Sequence, residues 1–318
     1  MSSENAHFLQ TMLPVFFVLA MGYYAGWRGR VDNRRPDALV VVLMQFALPC
    51  SLFLGIGSAS PAMLRTQLPL LLLLVAVMLL TYGITYLLTS RWTGASASES
   101  AVQALTVSFA NNVAIGLPLL THLFGAAGQL AVMCGIVGGA LVVSPLTLVL
   151  LECAAARNGG EPVPKRVRKA LSISLRRPVI LAPAAGLLLP LTGHTLPQLF
   201  VPSFDLIGKV TIGLALFLTG VILSAQAFRL SRAVLVGVAL KNFVQPALVV
   251  CLLLLFRMHG LLGKEAFLLA CVPAGFFGTV FGARYQVASL ESSSTLVLST
   301  LLSIITLPAA IMLAAHLP

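Results

Sequence analysis

Charge is scarce in this sequence. Only 20 basic and 9 acidic side chains occur in 318 residues, so 9% of positions are charged, where soluble globular domains carry about 25%. With 58% hydrophobic residues the chain has too little polar surface to face water on all sides. That excludes an ordinary soluble enzyme, a secreted disulfide domain and a disordered tail protein. Acids are the scarcer sign of charge, nine against twenty. Glu4, Asp32, Asp37, Glu99, Glu152, Glu161, Asp205, Glu265 and Glu291 all fall in loops or at the ends of apolar runs. No carboxylate is therefore placed to relay protons through the middle of a membrane. The five cysteines (Cys50, Cys134, Cys153, Cys251, Cys271) lie singly in apolar sequence with no C-x-x-C pair, which removes disulfide and metal frameworks. There is no phosphate-binding G-x-x-x-x-G-K-[ST] loop and no H-E-x-x-H. The five histidines share no nucleophile or acid pattern. No enzyme, metal or cofactor is expected.

What fills the chain is long charge-free runs. A spanning helix needs about 20 residues to cross about 30 Å of hydrocarbon. The runs yield ten expected spans, at 8–27, 37–57, 68–89, 100–122, 128–152, 178–192, 205–225, 233–256, 265–285 and 292–314. Nothing alternates polar with apolar over a useful distance, so a transmembrane barrel is not indicated. The first run has no positive leader and is followed at once by Arg28-Gly-Arg30, so it reads as a helix rather than a signal peptide. The expected class is an all-α multi-pass protein whose first partner is the lipid bilayer.

The net charge of +11 is a topological signal, not a nucleic-acid surface. Fifteen of the twenty cations fall in the odd-numbered loops, including Arg28, Arg34, Arg91, Arg166, Arg177, Arg229 and Arg284. By the positive-inside rule those loops are cytoplasmic and both termini lie outside. The one substantial hydrophilic linker, residues 154–177, divides the spans five and five, giving repeats at 1–153 and 178–318. An odd-numbered half, if duplicated, must sit inverted in the membrane, as in many secondary transporters. Leu52-Phe53-Leu54-Gly55-Ile56 can be laid on Leu216-Phe217-Leu218-Thr219-Gly220-Val221 as weak internal similarity.

Position is the stronger argument. The fourth span of each half carries helix-breaking residues in its middle: Asn111-Asn112-Val-Ala-Ile-Gly116-Leu-Pro118 in one, Pro273-Ala-Gly275-Phe276-Phe-Gly278-Thr279 in the other. Unwound backbone at the bilayer midplane is tolerated only where protein or a wet cavity satisfies it. Two matched breaks point to a substrate site where spans 4 and 9 cross. Half-helices starting near Pro118 and near Gly275 would aim N–H groups and positive dipole ends at that point, with Asn111 and Asn112 adding donors. A carboxylate is the expected ligand. Lys241, about eight residues inside span 8, would either balance the anion or snorkel to the interface, and Asp205 sits four residues before Lys209 as its pairing partner. No acid is needed for Na+ bound by backbone carbonyls of the broken helices, so coupling to Na+ or H+ stays open.

Leu13-Pro14-Val-Phe-Phe-Val-Leu-Ala-Met-Gly22-Tyr23, Phe46-Ala-Leu-Pro49-Cys-Ser-Leu-Phe53, Asn111-Asn112-x-x-x-Gly116-x-Pro118 and Pro273-Ala-Gly275-Phe-Phe-Gly278-x-x-Phe-Gly282-x-Arg284-Tyr285 together resemble the auxin efflux carrier family. The ninth-span segment with its Ser-Thr-rich successor is most similar to the bacterial malonate carriers. The resemblance implies a bacterial inner-membrane secondary transporter for a small dicarboxylate, built as a homodimer. It implies a scaffold of spans 1, 2, 6 and 7 and a transport bundle of spans 3–5 and 8–10 that moves like an elevator. It also implies that Asn111, Asn112 and Pro118 bind carboxylate. At the second crossover Pro273 and Gly275 match, but Phe276 and Phe277 stand where polar groups are expected, which makes Thr279 the candidate polar contact there.

Overall fold

The computed structural model describes residues 3–156, 162–287 and 290–316, and all regular structure among them is helical. In chain order the helices are α1 (Ser3–Trp27), α2 (Asp37–Gly57), α3 (Pro61–Trp92), α4 (Ala97–Ser108), α5 (Asn112–Ala155), α6 (Val163–Leu175), α7 (Pro178–Leu191), α8 (Val201–Ala225), α9 (Arg232–Leu255), α10 (Leu261–Cys271), α11 (Phe277–Arg284) and α12 (Leu290–Ala315).

Six of these, α2, α3, α5, α8, α9 and α12, are long and apolar enough to cross a membrane, and α6 with α7 makes a seventh if their 55° bend is one broken span. Ten whole spans are not found among the described residues, and helix length explains part of the gap. At about 1.5 Å per residue, α4 and α10 are each too short to cross alone. By the same measure the 44 residues of α5 are too long for one crossing. That helix is interrupted at Gly125, where φ is +60° and ψ −134°, a conformation open to glycine. Large apolar side chains such as Phe17, Leu72, Leu206 and Ile305 stand exposed, as a lipid-facing surface requires.

Four helical stretches are wound more widely than an α-helix: Val42–Ala47, Asn112–Gly116, Gly139–Val143 and Leu240–Val244. Each ends two residues before a proline, Pro49, Pro118, Pro145 or Pro246. Proline lacks the N–H for the bond four residues back and its ring crowds that carbonyl, so the turn ahead of it opens. The helix expected to begin near Pro118 therefore begins earlier, at Asn112, with Pro118 inside it.

The segment read as a hydrophilic linker contains a regular helix, α6. Pro162 and Pro164 set its first turn, where a missing N–H costs nothing. Arg157, Gly159, Gly160 and Glu161 of that linker lie outside the described residues.

The chain forms two compact units. One comprises Met1–Pro69, Asn112–Cys134 and Pro178–Ala225, the other Leu70–Asn111, Gly135–Arg177 and Gln226–Pro318. In the first unit α1 packs along α8 through glycines: a Cβ on Gly22 would strike the Phe217 carbonyl, and one on Gly220 the Leu19 carbonyl. Gly186 of α7 meets the backbone of Phe53 in α2 in the same way. The second unit has an apolar core that includes Met78, Tyr82, Leu105, Phe109, Leu148 and Phe281.

Candidate substrate site at the broken helices

The site is built from two helices that stop. Ser96-Ala-Ser-Glu99 is a capping box: Ser96 Oγ accepts from the Glu99 N–H, and the Glu99 carboxylate accepts from the Ser96 N–H at 2.8 Å. This fixes the start of α4, whose residues from Ser100 to Ser108 are all buried. The helix ends there and Phe109 is extended, next to an Asn-Asn pair whose side chains compete for backbone groups. Helix α10 ends at Cys271 because Val272 precedes a proline and is driven out of the helical region, to φ −57° and ψ 134°.

The two ends pair with each other. Ala110 and Ala274 form an isolated antiparallel bridge, the Asn111 N–H donates to the Pro273 carbonyl at 2.9 Å, and the Gly275 N–H donates to the Thr106 carbonyl at 3.2 Å. Contact is close enough that a Cβ on Gly275 would run into the Phe109 carbonyl and one on Gly278 into Thr106. Both positions therefore require glycine for space, whatever their φ.

Orphan carbonyls at the two helix ends are capped from α9. Lys241 is fully buried and its ammonium donates to the Ala270 carbonyl at 3.0 Å and to Gln245 Oε1. Gln245 in turn donates to the Ser108 carbonyl at 3.0 Å. A cation is thus set at the negative end of α10, where the helix dipole favours it. Lys241 does not snorkel. From α12, Ser299 accepts the Ala274 N–H at 3.0 Å and donates to Asn242 Oδ1 at 2.6 Å, so the loop between α10 and α11 is fixed from a third side.

Of the residues expected in the site, Asn111, Pro273, Gly275, Phe276, Thr279 and Lys241 lie together in the second unit. Asn112, Gly116 and Pro118 begin α5 in the first. Asn112 is buried and its Oδ1 has no hydrogen-bond partner among the described residues. Phe276 is buried and stacks on Phe277 at 4.9 Å, and Phe277 stacks on Phe109 at 4.9 Å with planes 7° apart. These rings occupy one another's faces. The Thr279 hydroxyl donates to the Phe276 carbonyl at 2.7 Å, which commits its proton within its own helix.

Gln245, Asn242 and Ser299 were not singled out in the sequence, nor was Gln103, which accepts from Ser292 at 2.8 Å and donates to Thr295 at 2.9 Å. The available signal was the run Lys241-Asn-x-x-Gln245-Pro246, three polar groups on about one helical turn inside an apolar span.

The first unit also holds a cavity of about 380 Å3, lined by Ser51, Gly55, Thr121, Gln129, Asp205 and Lys209 among others. Asp205 and Lys209 are ion-paired there, as their spacing suggests.

Residues 7–311 match a family described as membrane transport protein. The chain is 24% identical over 304 residues to the uncharacterized transporter YfdV of Escherichia coli K12, with 95% of this chain and 96% of that protein covered. YfdV of Escherichia coli O157:H7 and of Shigella flexneri match to the same extent. Family and relatives are transporters, not enzymes.

Proposed function

The chain belongs to the membrane transport protein family, that of the auxin efflux carriers its motifs resemble, and from this premise we propose that it is a secondary transporter for a small organic anion, with a dicarboxylate such as malonate as first choice. One observation carries the reading: two apolar helices that break in their middles and pair backbone to backbone at Ala110 and Ala274. A packed helix bundle has no need of such a break, and the polar groups it frees are held by Lys241, Gln245 and Ser299. Just past the second break, the helix beginning at Phe277 offers N–H groups and a positive dipole end. The Asn112 carboxamide supplies a donor and an acceptor to a ligand.

In this reading ten spans form two inverted five-helix repeats, with 1–153 and 178–318 flanking the basic cytoplasmic linker and both termini outside a bacterial inner membrane. Helices of spans 1, 2, 6 and 7 act as the scaffold of a homodimer, and spans 3–5 and 8–10 move as the transport bundle. The division of the chain into two units supports this, with one departure: residues 112–134 cluster with the scaffold spans. The Ser108 and Ala270 carbonyls are already engaged by Gln245 and Lys241, so coupling is expected to use exchange, or H+ carried on the substrate itself since no acid lies mid-span, rather than Na+ held by these two carbonyls. Import of a dianion against an inside-negative potential costs about 4.6 kcal/mol per 100 mV, from about 2.3 per charge, so import needs a coupled cation, exchange or consumption inside.

The test is counterflow of labelled malonate in proteoliposomes holding the purified protein. Saturable exchange abolished by unlabelled malonate is expected. Large unsaturable flux would instead indicate a passive anion channel, and no exchange by folded protein would remove malonate and turn the search to monocarboxylates or aromatic acids.

A further inference from the structure

The second unit also gathers a group of cations that the transport reading does not use. Arg166 and Lys169 of α6, Arg177 at the turn into α7 and Arg284 at the end of α11 line one cavity of about 200 Å3 together with Glu152 and Tyr285. Four positive groups face a single acid, and that acid is already occupied. The Tyr285 hydroxyl donates to Glu152 Oε1 at 2.9 Å, while Arg166 Nη1 stands 4.0 Å from Glu152 Oε2. Arg166 Nη1 is buried and makes no hydrogen bond among the described residues. The Arg177 guanidinium lies 5.3 Å over the Phe281 ring, which holds it in place without neutralising it. Burial, and then the charge of Arg284, push the pKa of Arg177 below its usual value, so these like charges are held together at a cost.

Clustered guanidinium groups around a small recess are the chemistry that recognises phosphate oxygens, because the planar fork donates two parallel hydrogen bonds. We propose that this cavity binds a phosphoryl group, carried by the head group of an anionic phospholipid or by a free phosphate-bearing solute. Exposed Val163, Leu171, Ile173 and Leu175 share helix α6 with Arg166 and Lys169. That composition suits a helix lying at a membrane surface with its cations toward head groups. The positive-inside pattern assigns this face to the cytoplasmic leaflet. Occupancy would tie α11, the second half of a broken helix, to α6 through Arg284 and Arg166.

The test compares the purified full-length protein in detergent by native mass spectrometry and thermal unfolding, with phosphatidylglycerol, phosphatidylcholine or inorganic phosphate added. Retention of phosphatidylglycerol and a raised Tm, without an effect of phosphatidylcholine, is expected, and a response to the lipid alone identifies the head group as the source. A response to inorganic phosphate alone identifies a free solute and keeps the site. Arg166→Gln and Arg284→Gln should each weaken binding about fivefold. Arg166→Lys, which keeps the charge, should weaken it less and serves if the neutral variants fail to fold. Equal weakening by Arg34→Gln, a cation of another loop, would reduce the effect to general surface charge and overturn the proposal. So would the absence of any response to either phosphoryl probe.

Discussion

The two units solve one problem, holding helices together in lipid, by different means. Lipid tails are as apolar as leucine, so helix association there rests on close packing and hydrogen bonds rather than on the hydrophobic effect. The unit containing α1, α2, α7 and α8 uses close packing: Gly22, Gly186 and Gly220 let backbones touch. The unit containing α4 and α9–α12 adds to its glycine contacts at Gly275 and Gly278 a set of buried polar side chains, with Lys241, Gln245, Asn242, Ser299, Gln103, Ser292 and Thr295 bonded across helices or to broken helix ends. Glycine contacts tolerate no insertion but need no matched partners. A polar network must be satisfied at every member, and it is found where backbone has been freed for another use.

Substitutions can break or sharpen that contrast. The largest effect is expected at Asn112→Ala, which should lower substrate affinity by about two orders of magnitude, or about 2–3 kcal/mol, through loss of hydrogen bonds to a charged ligand. The protein should still fold, and unchanged affinity measured in counterflow with folded Asn112→Ala would remove this residue from the site. Next come the glycines. Gly275→Ala should destabilise by about 1–3 kcal/mol by forcing the Phe109 carbonyl away, and should impair transport as well. Gly220→Ala should destabilise comparably but leave the affinity of surviving protein intact. Gly213, where an added methyl group would meet nothing within 4 Å, should accept alanine neutrally or with a gain of up to about 1 kcal/mol. Thermal unfolding in detergent with parallel uptake distinguishes the three.

A smaller effect is expected at Lys241→Met, which should weaken dianions about tenfold more than monoanions if the ammonium contributes to binding charge. Equal weakening of both would leave Lys241 as a cap on Ala270 alone. Smallest of all is the replacement of Na+ by choline, which should leave counterflow unchanged. A strict Na+ requirement would show that Na+ is bound by oxygens other than the Ser108 and Ala270 carbonyls and would overturn coupling by H+ or exchange alone.

Much of the site was legible because its causes are local. Pro273 expels Val272 from a helix whatever surrounds it. At the first break the half-helix expected near Pro118 begins at Asn112, and the Ser96–Glu99 capping box that starts α4 went unread. The role of Lys241 was not legible. Snorkelling and anion balance were the two readings its position allowed, whereas its hydrogen-bond acceptor, Ala270, lies 29 residues away. Gln245 reaches Ser108 across 137 residues, a pairing that no spacing rule contains. Helix α6 went unread because a basic, Pro-flanked segment looks like a linker until its buried Ala170 joins Leu148 and Leu151 of α5 in one apolar cluster.

The sequence by itself determined that this chain lives in a membrane, which loops gather the positive charge, and that two of its helices break. Each follows from composition or from steric limits within a few residues. Tertiary structure alone decided that the broken ends pair at Ala110 and Ala274, that Lys241, Gln245 and Ser299 close the bonds left open, and that Phe276 and Phe277 spend their ring faces on stacking. Those outcomes depend on which freed donor meets which freed acceptor, and in a chain with so few polar groups that matching is set by the packing of helices distant in sequence.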